Sequence, residues 1–505
     1  MASLRRASRH LLYRLGDGRY LQGIMVPATA ITQRYVSTSS SSSQKGGMVL
    51  DDSPDMAASN TAASTMSSPQ SAPLLTSPSP SPLSIVPFPS LLRSYLITSL
   101  TAHPLLLSPS MALLKKLAYS HSAILNPDKN PLLHFLLKRT FYAQFCAGET
   151  PAEVQSTVKD LKSMGVKGVM LGYAKEVILC DGDGQGAAIF DEAQVAADVK
   201  AWKEGTLKTV ELGEVGDFVA LKFTGAGAKA IDLLLNNQPP DPVLETAIVE
   251  ICELAKQRTV KLFFDAEQST VQTGIDSWTV EFQKRYNKAI PGQALVYGTY
   301  QAYMRKTPMI LAKHLATAEK DGFTLGVKLV RGAYLSCDTR SLFWSKKEET
   351  DAAYDSITES LIRREYGEIL QPVEGKQDSK FPQVNLVIAS HNLTSVEKGM
   401  AVRNVQAMRG EEKIDLVYGQ LQGMADDVTC ELINAGREAE KVAKEAGGGK
   451  VLEIPRAYKY LVWGTVSECL QYLIRRAEEN REAITRAGES VVAMRKELKR
   501  RVFGT

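Results

Sequence analysis

From residue 165 onward, short unbroken apolar runs alternate with longer segments whose apolar residues recur at three- and four-residue spacing. An unbroken run fits a strand buried on both faces, and the longer period fits an amphipathic helix. The pattern predicts strands at 165–174, 218–224, 260–267, 295–303, 325–334, 385–392, 415–423 and 458–463. It predicts helices at 192–204, 231–236, 243–258, 276–287, 308–321, 348–366, 395–408, 426–445 and 465–501. Eight strand–helix units are what a (β/α)₈ barrel requires, so the fold class is α/β, a TIM-like barrel; a doubly wound open sheet is the alternative.

Before residue 165 the pattern is helical only. Apolar spacing marks 111–119, 132–145 and 154–164, the last preceded by a Thr150-Pro151 start signal. Segment 88–164 therefore forms a helical arm, and 165–505 the barrel. The apolar run 83–107 is interrupted by Pro87, Pro89, Arg93, His103 and Pro104, so it does not read as a spanning helix, while surface contact with a membrane stays open. Residues 37–87 are Ser/Pro-rich with almost no aromatics, the composition of a disordered linker.

Charge changes the picture at the N-terminus. The chain carries +4 overall, yet residues 1–44 hold six Arg and one acid, Asp17, so the remainder is near neutral. That Arg- and Ser-rich, acid-poor start is the pattern of a mitochondrial transit peptide over 1–36. The body has no electrostatic footprint for nucleic acid. Six scattered Cys without CxxC spacing suit a reducing compartment. Only His314 and His391 follow residue 134 and no HExxH occurs, so no protein-bound metal is expected.

In a barrel the chemistry gathers at the C-terminal ends of the strands. The polar residues there are Glu176, Lys222, Asp265 with Glu267, Gln301, Lys328 with Arg331 and Tyr334, His391 with Asn392, Gln420, and Tyr460. The Gly-rich turns at 182–187, 225–230 and 447–450 lack dinucleotide or Walker spacing and read as ordinary turns. On the final helix Tyr472, Arg475, Arg476 and Glu479 share one face, and paired guanidiniums suit one carboxylate. No Ser or Cys nucleophile is paired with a base. Two readings stay open: a Schiff-base lyase using Lys222, Lys328 or Lys347, and an anionic cofactor that performs the hard step while these groups position it.

Several motifs together resemble the proline dehydrogenase (proline oxidase) family in its mitochondrial eukaryotic form. They are Asp265-Ala-Glu267, Tyr300-Gln-Ala-Tyr303, Val327-Lys-Leu-Val-Arg-Gly-Ala-Tyr334, Ser390-His-Asn392, Gln420-Leu-Gln-Gly-Met424 and Tyr472-Leu-Ile-Arg-Arg-Ala-Glu-Glu-Asn480. The resemblance implies a distorted barrel with a final helix over its mouth, holding FAD. It implies oxidation of L-proline to Δ¹-pyrroline-5-carboxylate, the first step of proline catabolism, with electrons passed to ubiquinone at the matrix side of the inner mitochondrial membrane. By the same resemblance Arg475 and Arg476 grip the substrate carboxylate, Glu479 orients them, Tyr334, Tyr460 and Tyr472 wall the ring, and Lys222 lies near the carboxylate. Asp265, Gln301, Lys328, Gly332, Ala333, His391, Asn392 and Gln420 match flavin-contacting positions. Lys347 and Thr350 match a motif for the ribityl-diphosphate and adenosine part, and Glu176 a rim acid. Related hydroxyproline dehydrogenases tend to have a smaller residue where this chain has Tyr460, which favours proline. Many bacterial members have Arg at the Lys328 position and Lys at the Arg331 position.

Overall fold

A computed structural model of the chain describes residues 81–102, 104–174, 191–335, 337–375, 379–445, 452–479 and 484–504; the side chains of 101–108, 478–487 and 489 are not described. The leader, most of the linker, Glu176, the Gly-rich turns at 182–187 and 447–450, and the Glu479 side chain lie outside the described residues.

Eight strands close into one barrel: β1 (Gly168–Tyr173), β2 (Phe218–Leu221), β3 (Lys261–Phe264), β4 (Val296–Gln301), β5 (Leu325–Val330), β6 (Val384–Ala389), β7 (Leu416–Leu421) and β8 (Ala457–Trp463). Each pairs in parallel with its sequence neighbours, and β8 returns to β1 with Met170 opposite Tyr460. The open-sheet alternative is thereby excluded. Each predicted strand overlaps an observed one, with β6 and β8 starting one residue earlier than expected. All but β8 are shorter than expected because the predicted ends include rim residues beyond the ladder.

The longer helices of the arm are α1 (Phe88–Ala102), α2 (Pro104–Ala118), α3 (Pro131–Leu137) and α4 (Pro151–Met164). Around the barrel follow α5 (Glu192–Leu212), α6 (Ala228–Leu235), α7 (Pro242–Arg258), α8 (Ser269–Tyr286), α9 (Thr307–Asp321), α10 (Lys347–Arg363), α11 (Leu393–Arg409) and α12 (Asp426–Glu445). The stretch read as one helix at 465–501 is two, α13 (Val466–Glu479) and α14 (Ile484–Phe503), and α14 packs along α1. Local chemistry sets several boundaries. Thr150 Oγ1 accepts from the Glu153 N–H at 3.3 Å and Gly165 ends α4 at φ 115°. Asp241 starts α7 in the same way.

Alternation along the strands divides the core. Outward residues such as Val169, Leu262, Val327, Leu386 and Leu461 are buried against the helices. Inside, Phe218 stacks on Phe263 at 4.5 Å between centroids, with Tyr297 and Tyr458 edge-on to Phe218. This aromatic layer fills the barrel toward its N-terminal end and leaves the C-terminal end for polar groups. The arm is tied to that end: Tyr142 Oη donates to the Gly464 carbonyl at 2.8 Å, the Ala147 N–H to Val462 at 2.8 Å, and Gln471 Nε2 to Ala118 at 3.0 Å.

Candidate active site

Period-two alternation carries Asp265, Thr299, Gln301, Lys328 and Tyr460 inward at the strand ends, above the aromatic layer. They line a cavity of about 210 Å³ together with Lys222, Gly332, Ala333, Tyr334, His391, Asn392, Gln420, Tyr472 and Arg476. Thirteen of the seventeen expected site residues therefore meet in one cavity, drawn from strands far apart in sequence.

The other four sit differently. Arg475 is buried on α13, beside Arg476 in sequence, and is not among the residues lining this cavity. Lys347, at the start of α10, lines a larger adjoining cavity of about 540 Å³ and pairs with Asp351. Thr350 follows in the first turn of α10, in neither lining. The Glu479 side chain is outside the described residues. The two cavities share His391, Asn392 and Arg476.

One carboxylate organises the cations. Lys328 Nζ lies 2.5 Å from Asp265 Oδ1 and Lys222 Nζ 3.8 Å from Oδ2. Thr299 Oγ1 donates to Asp265 at 3.3 Å and Tyr460 Oη at 3.5 Å. Burial pushes the Lys328 ammonium below the usual lysine range, while Asp265 opposes that shift. The ammonium also faces the Phe263 and Tyr460 rings at 4.6 and 5.2 Å. Arg476 faces the rings of Tyr334 and Tyr472 at 5.9 and 5.5 Å. Lys222, Lys328 and Arg476 against Asp265 leave a cavity with surplus positive charge and aromatic walls, which suits a small anion with an apolar body.

The loop after β5 is held from both sides. Gln301 Nε2 donates to the Glu267 carbonyl at 3.2 Å and its Oε1 accepts from the Ala333 N–H at 3.3 Å. Gly332 has φ +146°, and a Cβ there would fall 2.3 Å from the Tyr303 ring. Only glycine fits, because the Tyr303 ring occupies the place of a side chain. His391 Nε2 accepts from the Leu421 N–H at 3.0 Å, which puts its ring proton on Nδ1. Gln420 is braced between the Ser390 carbonyl and Thr429, at 3.3 and 3.2 Å.

Arg331 also lines this cavity, and it braces the rim. Its Nε meets Asp351 at 2.9 Å, Nη1 donates to Ser390 at 2.6 Å and Nη2 to Ser395 at 2.8 Å, and the plane lies over Tyr354 at 4.3 Å. It joins β5, α10, β6 and α11. Thr299 was missed by sequence reasoning, although it lies two residues before Gln301 on β4 and alternation alone would have turned it inward. Glu267 serves the scaffold, accepting the Thr224 N–H at 3.2 Å. On the arm, Asp128, His134 and Glu149 bring possible ligand atoms within 4.8 Å of one another, but Glu149 already pairs with Lys138 at 2.6 Å.

Residues 154–487 match the family model described as proline dehydrogenase. The chain is 29% identical over 420 residues to a probable mitochondrial proline dehydrogenase of Schizosaccharomyces pombe, covering 72% of this chain and 80% of that one. It is 26% identical over 466 residues to a hydroxyproline dehydrogenase of Bos taurus, covering 82% and 90%. Among solved structures it resembles proline utilization A of Bdellovibrio bacteriovorus, with TM-score 0.55 at 15% identity, over 76% of this chain and 38% of that protein. That likeness concerns the fold. Since the family match spans the eight strands and the helix carrying Tyr472 and Arg476, the chain belongs to the proline dehydrogenase family.

Proposed function

We propose that the chain is an FAD-dependent proline dehydrogenase of mitochondria. It oxidises L-proline to Δ¹-pyrroline-5-carboxylate, the first step of proline catabolism, and passes the electrons to ubiquinone at the matrix side of the inner membrane. The observation that carries this reading is the cation-rich, aromatic-walled cavity around Asp265, with Arg476 brought over it by α13. Proline is a carboxylate on a saturated ring, and this lining offers a partner to each part.

The residues fit the cofactor. Gly332 and Ala333 line the cavity with little side chain, and Asp265, Gln301, Lys328, His391, Asn392 and Gln420 would surround a flat ring with polar groups. The adjoining cavity gives an extended dinucleotide somewhere to run. Lys347 and Thr350 in the first turn of α10 suit its diphosphate, because a helix N-terminus and a Lys both favour phosphate. When bound, FAD supplies the two-electron acceptor.

The remaining work belongs to side chains. Arg476, supported by Arg475, fixes the carboxylate; Tyr334, Tyr460 and Tyr472 wall the ring and exclude water. Holding the donor carbon within about 3.5 Å of the acceptor is the main contribution to rate. Lys328, held by Asp265, which Thr299 in turn holds, would offer a fixed cation to the reduced cofactor. Tyr460 fills the space a ring hydroxyl needs, which favours proline over hydroxyproline.

One spectrum tests the reading. Purified protein should be yellow, and its flavin bands should bleach anaerobically on adding proline. A yellow protein inert to proline overturns the activity, and a colourless one trapped by borohydride with substrate points to the lyase. A preference for trans-4-hydroxyproline would assign the second substrate instead.

A further inference from the structure

The arm has apolar residues on two sides. Leu91 and Ile97 of α1 are buried, and α1 packs along α14, but Phe88, Leu92, Leu96 and Leu100 recur every fourth residue and are exposed, Leu96 at 58%. Exposure continues on the neighbouring elements with Leu113, Ile124, Leu132, Phe135 and Leu136, Leu132 reaching 77%. A soluble surface scatters such residues singly, whereas here they crowd into about fifty residues of chain.

Charge follows the same segment. Residues 81–148 contain six Lys or Arg (Arg93, Lys115, Lys116, Lys129, Lys138 and Arg139) and one carboxylate, Asp128. From residue 149 onward, Lys and Arg number 47 against 51 Asp and Glu. A net charge of +5 on residues 81–148 beside −4 on residues 149–505 is an asymmetry that packing within the molecule does not require. No helix among the described residues is long and apolar enough to cross a membrane.

We infer that the outer face of α1, α2 and α3 is a docking surface for an anionic lipid bilayer, lying in the headgroup region with its leucines and Phe135 inserted. An amphipathic face with surrounding cations binds such an interface through both apolar burial and attraction to anionic headgroups. The inner sides of α1 and α2, through Leu91, Met111 and Leu114, wall the cavity that adjoins the catalytic one. Docking this face therefore sets the lipid phase on the side where the site is walled by the arm. The inference deepens the proposed transfer to a membrane-dissolved quinone, and its activity measurement rests on that reading.

The full chain and two variants are floated with vesicles of phosphatidylcholine doped with phosphatidylglycerol, without any quinone. Wild type should bind. Leu96→Ser/Leu132→Ser/Phe135→Ser should weaken binding roughly a hundredfold, and Lys115→Glu/Lys116→Glu roughly thirtyfold, the latter with strong salt dependence. Both variants should keep wild-type turnover of proline with a water-soluble dye and lose turnover with a long-chain quinone held in the vesicles. Vesicle binding unchanged in both variants overturns the docking surface. So does a wild type that ignores vesicles and instead forms, in sedimentation velocity, a dimer that the leucine variant abolishes. Absence of any proline turnover alongside normal flotation would fault the enzymatic reading and leave the docking intact.

Discussion

Lys328 and Asp265 form a buried ion pair at 2.5 Å between β5 and the end of β3, each side chain only 8% exposed. Removing one partner of such a pair leaves an uncompensated charge in a low-dielectric site, which costs about 3–5 kcal/mol. Asp265→Ala should therefore be strongly destabilised in urea unfolding, and Asp265→Leu/Lys328→Met much less so. The Lys328 pKa is already lowered by burial, and losing Asp265 lowers it further. The unfolded chain then binds more protons than the folded one over the window between the two lysine values. Stability of Asp265→Ala should rise with pH there. A pH-independent loss would show that the charge is not the cause.

Of the two neighbouring arginines on α13, Arg476 is in the cavity lining, while Arg475 is buried outside it. Arg476→Met should raise KM for proline by about a hundredfold, the loss of a charge-assisted carboxylate contact, with flavin content near wild type. A smaller effect for Arg475→Met would separate the gripping residue from its support. A wild-type KM in Arg476→Met would remove the carboxylate assignment.

Tyr460 reaches Asp265 through its hydroxyl at 3.5 Å and packs over Lys328. Tyr460→Ser should make space at the ring and shift the proline to hydroxyproline ratio of kcat/KM by roughly tenfold or more toward hydroxyproline. An unchanged ratio would place the specificity elsewhere.

Near the opposite end of the barrel, Asp415 meets Lys261 at 2.6 Å and also pairs with Arg456. Burial alone would raise its pKa, but the two cations hold it down to about 2. Such a carboxylate stabilises the fold above its unfolded value of about 4 and loses that contribution as pH falls through about 2, an effect of about 2 kcal/mol. Asp415→Asn should be less stable than wild type at neutral pH, with the difference closing between about pH 4 and pH 2 in acid unfolding. A difference that stays constant across that range would argue against the ion pairs.

The sequence by itself determined the order of eight strands, their helical crossovers and the rim positions of Lys222, Asp265, Gln301, Lys328 and Tyr460. Those follow from local rules: alternation decides which side chain turns inward, and burial on both faces makes a strand read as an unbroken apolar run. Helix spacing also put Tyr472, Arg475, Arg476 and Glu479 on one side of the last segment. What it left open was which of these side chains line the cavity, because an i, i+3, i+4 face is broad and the packing of α13 on α2 sets how that face is presented. Arg331 shows the same limit: as a rim cation it read as a possible site residue and it does line the cavity, but only the fold shows that Asp351, Ser390 and Ser395 from three other elements hold it in place. Only the tertiary structure decided that the leucines of α1 divide between a buried and an exposed face. Their spacing alone spreads apolar residues over about half the helix circumference, and a partner such as α14, far away in sequence, determines which part is covered.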